Sequence, residues 1–504
     1  MDLIRQISPQ LPGLVVQMSE GSFGFGPGAL TLIGLYLLSM IGIGWLGRMR
    51  RESNSLADFY LAGRSMGFAV LFLTLYATQY SGNTMFGYTG KSYRIGFEWT
   101  VSILFMFSII AGYLLFAPRL VIVARRFNFI TPGDYIRQRF GSPRLTLLAT
   151  ILMIYALCNY TLAQLKAMGA AVEGITDGRI GSEYGIIALA VIMVIYETLG
   201  GMRSVAWTDV IQGTVLLLGF GILLFLVPAL GGGLTNVVEQ LSVQQPQMVT
   251  APSLEACNTW ISFIVLLGCG AAIYPQAIQR LYASRSVRGL KSSLAVMAFM
   301  PLTTTLIALV CGATGRIVLP GMEGIATDQV LARLCGLIMQ DSAAGYWLVV
   351  VIIAAALAAL MSTADSALLS ISSMFTRDIY QAHLRPDSSE EELTRVGKIC
   401  SWVFVFLLVL VAIGTEKTLV RLLELKFEVL IQVVPCFFLG LYWRRLSSSV
   451  VLTGMLVGLA IGLGLTAAGQ PKVWGFHAGV VGLAFNFVIC ALGTAWFPAN
   501  LEKS

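Results

Sequence analysis

TLYATQYSGNTMFG, residues 74 to 87, interrupts a long apolar stretch with glycines and polar side chains. LLGCGAAIYPQAIQ, residues 266 to 279, does the same nearly two hundred residues later with Gly268, Gly270 and Pro275. A helix that breaks in mid-bilayer exposes backbone that lipid cannot satisfy, so such a segment must line protein or a water-filled cavity. Five apolar spans separate the start of the first broken segment from the start of the second. That spacing predicts two five-helix repeats of inverted topology, each opening on a broken helix, with a binding site where the breaks meet.

The bilayer reading rests on composition. Of 504 residues, 57% are apolar and 12% charged, against about 25% charged in an ordinary soluble domain, and mean hydropathy is +0.79. So few charges cannot cover a soluble surface. Stretches of about 20 apolar residues number 13, which predicts an all-α polytopic membrane protein occupying residues 1 to 504 as one unit. The boundaries are an extra N-terminal helix at 29 to 47, a first repeat at 66 to 230, a second at 258 to 442, and two further helices at 448 to 496. The first span lacks a small-residue cleavage site and is expected to stay in the membrane.

A net charge of +7 is explained without nucleic acid, because the basic residues cluster between spans and form no stripe. Placing the N-terminus outside and the C-terminus in the cytoplasm puts 22 of the 33 Lys and Arg residues in inner loops, among them Arg64, Arg125, Arg203, Arg280, Arg285, Arg377 and Lys503. The long segment 231 to 255 holds none. This asymmetry is what the positive-inside rule requires, and it predicts a multi-pass protein of the plasma (inner) membrane. The eight cysteines show no metal-ligand spacing and imply no disulfide framework.

Five further segments are DFYLAGRSMG (58 to 67), YETLGGMRSVAWTDVIQG (196 to 213), YPQAIQRLYAS (274 to 284), LAALMSTADSALLSISSMFTRDIY (357 to 380) and GLYWRR (440 to 445). Together and in this order they resemble the sodium:solute symporter family, which includes the bacterial proline/sodium symporter and the sodium/glucose cotransporters. The resemblance implies a LeuT-type fold with one helix before the ten-helix core and two after it, the same total as the count of spans. It also implies a sodium ion held by the carbonyls of Ala77, Tyr80 and Ala359 and the hydroxyls of Ser362 and Thr363. Hard cations favour several oxygen ligands, and Ala359 lies three residues before Ser362 on the same helix face. Taken singly, the two hydroxyls would be expected to bond the carbonyl four residues back.

Carboxylates within spans are costly and so informative. Asp209 matches an acidic position that the family associates with sodium at the inner side, and Asp365 lies three residues after Ser362, so the two form a candidate inner cation path or second site. Asp209 could equally cap a helix N-terminus together with Thr208. Polar residues near the two breaks, namely Gln79, Ser81, Asn83, Thr84, Tyr274 and Gln276, are the expected solute contacts. Gln79 stands where the proline/sodium symporter has an aspartate. Three roles are open to Lys166: binding a solute carboxylate, forming a gate salt bridge with Glu428, or reaching the headgroups by snorkelling. Glu197 and Arg203 are expected to form a partly solvated pair near a helix end.

The sequence therefore predicts a secondary active transporter that couples sodium to uptake of a small polar organic solute, an amino acid or small carboxylate, by alternating access. Proton coupling through Asp209 and Asp365 is the alternative within that class. A transporter-like sensor would need a separate partner, since about eight residues follow the last span. No nucleophile and base converge as an enzyme would require. The expected partners are the solute, sodium and the lipid bilayer, with no obligate protein partner.

Overall fold

The computed structural model describes residues 25–51, 53, 55–176, 178–414 and 419–496. Lys503 and both termini lie outside these, as does the side chain of Asn83. Apart from loops, the described chain is helical, with one two-stranded hairpin, Lys472–Val473 with Phe476–His477, and an isolated parallel bridge between Met66 and Ser284.

The helices follow in this order. α1 (Pro27–Met49) and the short α2 (Leu56–Leu61) lead to α3 (Phe68–Gln79), which breaks before α4 (Tyr88–Ile95). Then come α5 (Val101–Arg126), the short α6 (Pro132–Phe140), α7 (Pro143–Ile175), α8 (Ser182–Gly200) and α9 (Met202–Leu230). After α10 (Leu234–Gln244), the second broken element comprises α11 (Leu254–Ala272) and α12 (Pro275–Ala283). α13 (Val287–Met297) continues through a π turn into α14 (Leu306–Val318), and α15 (Val330–Asp341) precedes the long α16 (Ala343–Met374). The chain finishes with α17 (Glu390–Gly414), α18 (Leu419–Leu430), α19 (Val434–Phe438), α20 (Ser448–Ala467) and α21 (Ala478–Trp496).

Eleven helical stretches among the described residues are long and apolar enough to cross a membrane. The expected thirteen are therefore not all reproduced as uninterrupted spans. The stretch at 66 to 91 consists of the short α3 and a polar second half that runs on towards α5. The stretch at 418 to 442 carries Arg421, Glu424, Lys426 and Glu428 and is interrupted by a tight turn at Ile431–Val433.

Both breaks have local causes. Proline lacks an N–H and disfavours helical geometry in the residue before it; Tyr274 accordingly adopts ψ 128°, and Pro275 opens α12 at its first position. At the first break Tyr80 is extended (φ −102°, ψ 99°). A Cβ on Gly82 would run into the Leu360 side chain and lie 3.2 Å from Gln164 Oε1, so glycine lets the broken backbone press against α16 and α7 without displacing Leu360.

One end of the bundle is tied by the DFYLAGRSMG segment. Ala62, Gly63 and Arg64 form a left-handed turn, after which Met66 N donates to Ala283 O (3.1 Å) and Arg285 N to Met66 O (2.7 Å). Arg125 donates to Ser284 O at 2.5 Å, and Arg203 to Asp58 Oδ1 at 2.6 Å. The half-helices α3 and α12 are thus joined at this basic end.

Candidate functional site

The last four carbonyls of a helix have no ladder partner, and at the end of α3 two of them are taken by other helices. Thr363 Oγ1 donates to Ala77 O at 3.3 Å, and Tyr160 Oη to Thr78 O at 3.2 Å. The ring of Tyr160 stacks on Tyr274 at 5.2 Å with 12° between the planes. One tyrosine of α7 therefore touches both breaks.

The five residues expected to hold sodium are all buried. Ala77 and Thr363 are in direct contact, Tyr80 ends the half-helix, and Ala359 and Ser362 share α16 with Thr363. Ser362 Oγ donates to Asp209 Oδ1. Bonding to the carbonyl four residues back occurs in the same helix at Ser366 (2.5 Å) and Ser370 (3.0 Å). Neutral carbonyls and hydroxyls make the oxygen-only donor set that a hard cation takes.

Arg280 corrects the expectation that it marks an inner loop. It lies six positions inside α12, has no exposed surface, and donates from Nη2 to Asp209 Oδ2 at 2.9 Å. Its Nε donates to Thr74 Oγ1 at 2.7 Å, its Nη1 to Gln276 O at 3.2 Å, and Nη2 also reaches Ser366. Thr74 in turn donates to Asp209. Asp209 is no helix cap: α9 starts at Met202, and Thr208 bonds Ser204 O and Val205 O instead. Asp365 accepts from Tyr196 Oη at 2.6 Å and from Ser366 Oγ at 3.1 Å. Ser362 and Ser366 link the two carboxylates, and Arg280, which no spacing in the sequence ties to them, lies between. A buried ion pair holds only when further hydrogen bonds satisfy its remaining atoms, and here Thr74, Ser362 and Ser366 supply them.

Glu197 is fully buried, accepting from Ser401 Oγ at 3.2 Å, while Arg203 binds Asp58 and Arg50 O. The partly solvated pair expected of these two is therefore corrected: Glu197 sits on the inner face of α8, within the packing of α8 on α17.

Of the expected solute contacts, Ser81, Thr84, Tyr274 and Gln276 are buried and Gln79 is half-buried, 3.4 Å from Tyr113 Oη. Both amide atoms of Gln276 and the hydroxyl of Tyr274 have no hydrogen-bond partner among the described residues. Lys166 is half-buried on α7, six residues past Tyr160. Glu428 is buried on α18 and accepts from Thr466 Oγ1 at 3.3 Å. Lys426 was not singled out from the sequence. Its Nζ lies 3.2 Å from the Tyr160 ring centre and 5.1 Å from those of Tyr274 and Phe427, and the residue is fully buried. The signal available was a charge alternation, Glu424, Lys426 and Glu428, within an apolar run.

Two interrupted helices meeting a long serine-rich helix inside a bundle of apolar spans define a multi-pass membrane transporter of the LeuT-type fold. A solved structure of a Na+-coupled sialic acid symporter in a substrate-bound outward-open state has this fold: TM-score 0.79, 21% identity, 95% of this chain and 100% of that chain covered. A sodium/pantothenate symporter of Escherichia coli is 29% identical over 91% of this chain and 94% of its own length. A sodium/proline symporter of Haemophilus influenzae is 28% identical over 86% and 87%. The family model for the sodium:solute symporter family matches residues 59–458. The chain belongs to the sodium:solute symporter family, and it is a transporter rather than an enzyme.

Proposed function

We propose that the protein takes up a small polar organic solute, an amino acid or small carboxylate, by sodium-coupled alternating access. The observation that carries this reading is the Thr363 to Ala77 contact, where a hydroxyl of α16 meets a carbonyl freed by the break in α3. A sodium ion bound by Ala77, Tyr80, Ala359, Ser362 and Thr363 would tie those two helices together. Sodium then shifts the conformational equilibrium by its differential affinity for the state in which the five oxygens converge. Its departure on the low-sodium side loosens the same junction and releases the solute.

In this reading the two repeats are 66–230 and 258–442, the basic end faces the cytoplasm, and the N-terminus lies outside. Asp209 and Asp365 line the inner cation path, and Lys166 with Glu428 forms the opposite gate. The solute contacts are Gln79, Ser81, Asn83, Thr84, Tyr274 and Gln276. Pantothenate, proline and sugars enter as test solutes because relatives are named for them. Radiolabelled uptake of this panel into proteoliposomes should require an inward sodium gradient; accumulation driven equally by a proton gradient alone would replace sodium with protons as the coupling ion. The proton reading is favoured by one contact only, the 2.6 Å bond between Tyr196 Oη and Asp365.

A further inference from the structure

Among the described residues, the Lys426 ammonium lies at the meeting point of the breaks against three aromatic rings: Tyr160 of α7, Tyr274 at the second break and Phe427 of its own helix. Its Nζ meets no hydrogen-bond acceptor among the described residues. Glu424 and Glu428 lie two positions away on either side, which on a helix puts them on other faces. Glu424 Oε1 is 4.0 Å from His477 Nε2, and Glu428 accepts from Thr466. An ammonium inside a bilayer is costly. Ring faces offset only part of that cost, and they leave its three N–H donors without an oxygen.

A second, independent feature points the same way. Tyr274, against which Lys426 lies, caps the nine-residue α12, whose N-terminus carries the positive end of a helix dipole. On its first turn both amide atoms of the buried Gln276 have no partner among the described residues, nor has the Tyr274 hydroxyl. Nearby carboxylates are already engaged, Asp209 by Arg280 and Ser362, Asp365 by Tyr196 and Ser366. The first break offers the neutral Gln79.

We propose that Lys426 is the anion anchor of the solute site, taking the carboxylate of a small organic acid that carries no cationic group. This rests on the reading of the chain as a solute transporter and deepens it by naming the substrate class. A zwitterion would need a second, uncommitted carboxylate for its ammonium, whereas a monoanionic acid completes the charge of Lys426 and gives its donors oxygen acceptors. Hydroxyl or amide groups elsewhere on the acid would engage Gln276 and Tyr274.

The test uses the full chain in proteoliposomes with lactate and pantothenate, their neutral counterparts lactamide and panthenol, and proline and glucose. At least one acid should be taken up, with its neutral counterpart competing more than about tenfold less well, the discrimination expected for a hydrogen-bonded buried charge. Lys426→Met should lower acid uptake more than about tenfold while the purified variant stays monodisperse and melts close to wild type; Lys426→Arg should retain part of the uptake. Equal competition by acid and neutral counterpart, uptake of proline or glucose alone, or full acid uptake by a folded Lys426→Met would each overturn the proposal. Should Lys426→Met not fold, the comparison of acid with neutral counterpart in the wild type decides. Acid-selective, Lys426-dependent uptake that ignores the sodium gradient would sustain this proposal and remove sodium coupling instead.

Discussion

Arg280 Nη2 and Asp209 Oδ2 lie 2.9 Å apart, and neither side chain reaches the surface. The pair joins α12, the half-helix after the second break, to α9. Removing one partner of a buried pair leaves the other charged and alone, at a cost of about 3–5 kcal/mol, whereas replacing both with apolar groups of similar volume is often neutral. Arg280→Met and Asp209→Leu should each lower the melting temperature strongly in detergent, and the double variant should regain most of the loss. Additive losses would show that the two residues act through different neighbours.

Thr363 and Ser362 should separate in their effects although they are adjacent. Thr363 donates to Ala77 O, on the proposed sodium route, whereas Ser362 also serves Asp209. Thr363→Ala is expected to raise the sodium concentration for half-maximal uptake with little change in stability. Ser362→Ala should do the same and also destabilise by about 1–3 kcal/mol, because Asp209 loses a buried donor. Sodium titrations of uptake, alongside melting curves of the two variants, check this.

The features legible in the sequence were those written into one short segment. Pro275 and the polar, glycine-bearing run after Gln79 fall in the middle of apolar stretches, so both interruptions could be placed, and Thr363 could be assigned to the helix that meets the first. Arg280 escaped because counting Lys and Arg by position treats any arginine after an apolar run as a loop marker. Pro275 starts a new helix instead of ending one, and Arg280 sits inside its second turn. Lys426 escaped for a different reason: its box takes one ring from α7, one from the second break and one from α18, residues 160, 274 and 427. No spacing in one dimension links them.

Gly201, within YETLGGMRS, is a position that no other residue can occupy without strain. It joins α8 to α9 at φ 59°, ψ −147°, a region essentially confined to glycine, and a Cβ there would lie 2.4 Å from Phe59 O. Gly201→Ala should destabilise by about 1–3 kcal/mol or more. Gly42 is the control. It lies in the interior of α1 with nothing within 4 Å of a Cβ, so Gly42→Ala should be neutral or stabilise by roughly 0.5–1 kcal/mol. Parallel melting curves of the two alanine variants decide it.

The proposed gate makes the sharpest demand on charge. Lys166 on α7 and Glu428 on α18 belong to helices that pack on one another. If their charges close the gate, Lys166→Glu places two carboxylates in one apolar environment and should abolish uptake, since like charges repel most where water is scarce. Lys166→Glu with Glu428→Lys restores the pairing with reversed sign and should recover a measurable part of the rate. A lysine whose role is to reach the headgroups by snorkelling would behave otherwise: Lys166→Glu would be tolerated or merely destabilising, and Glu428→Lys would not rescue it. Initial uptake rates of the two single variants and the reversal, normalised to protein in the membrane, distinguish the outcomes.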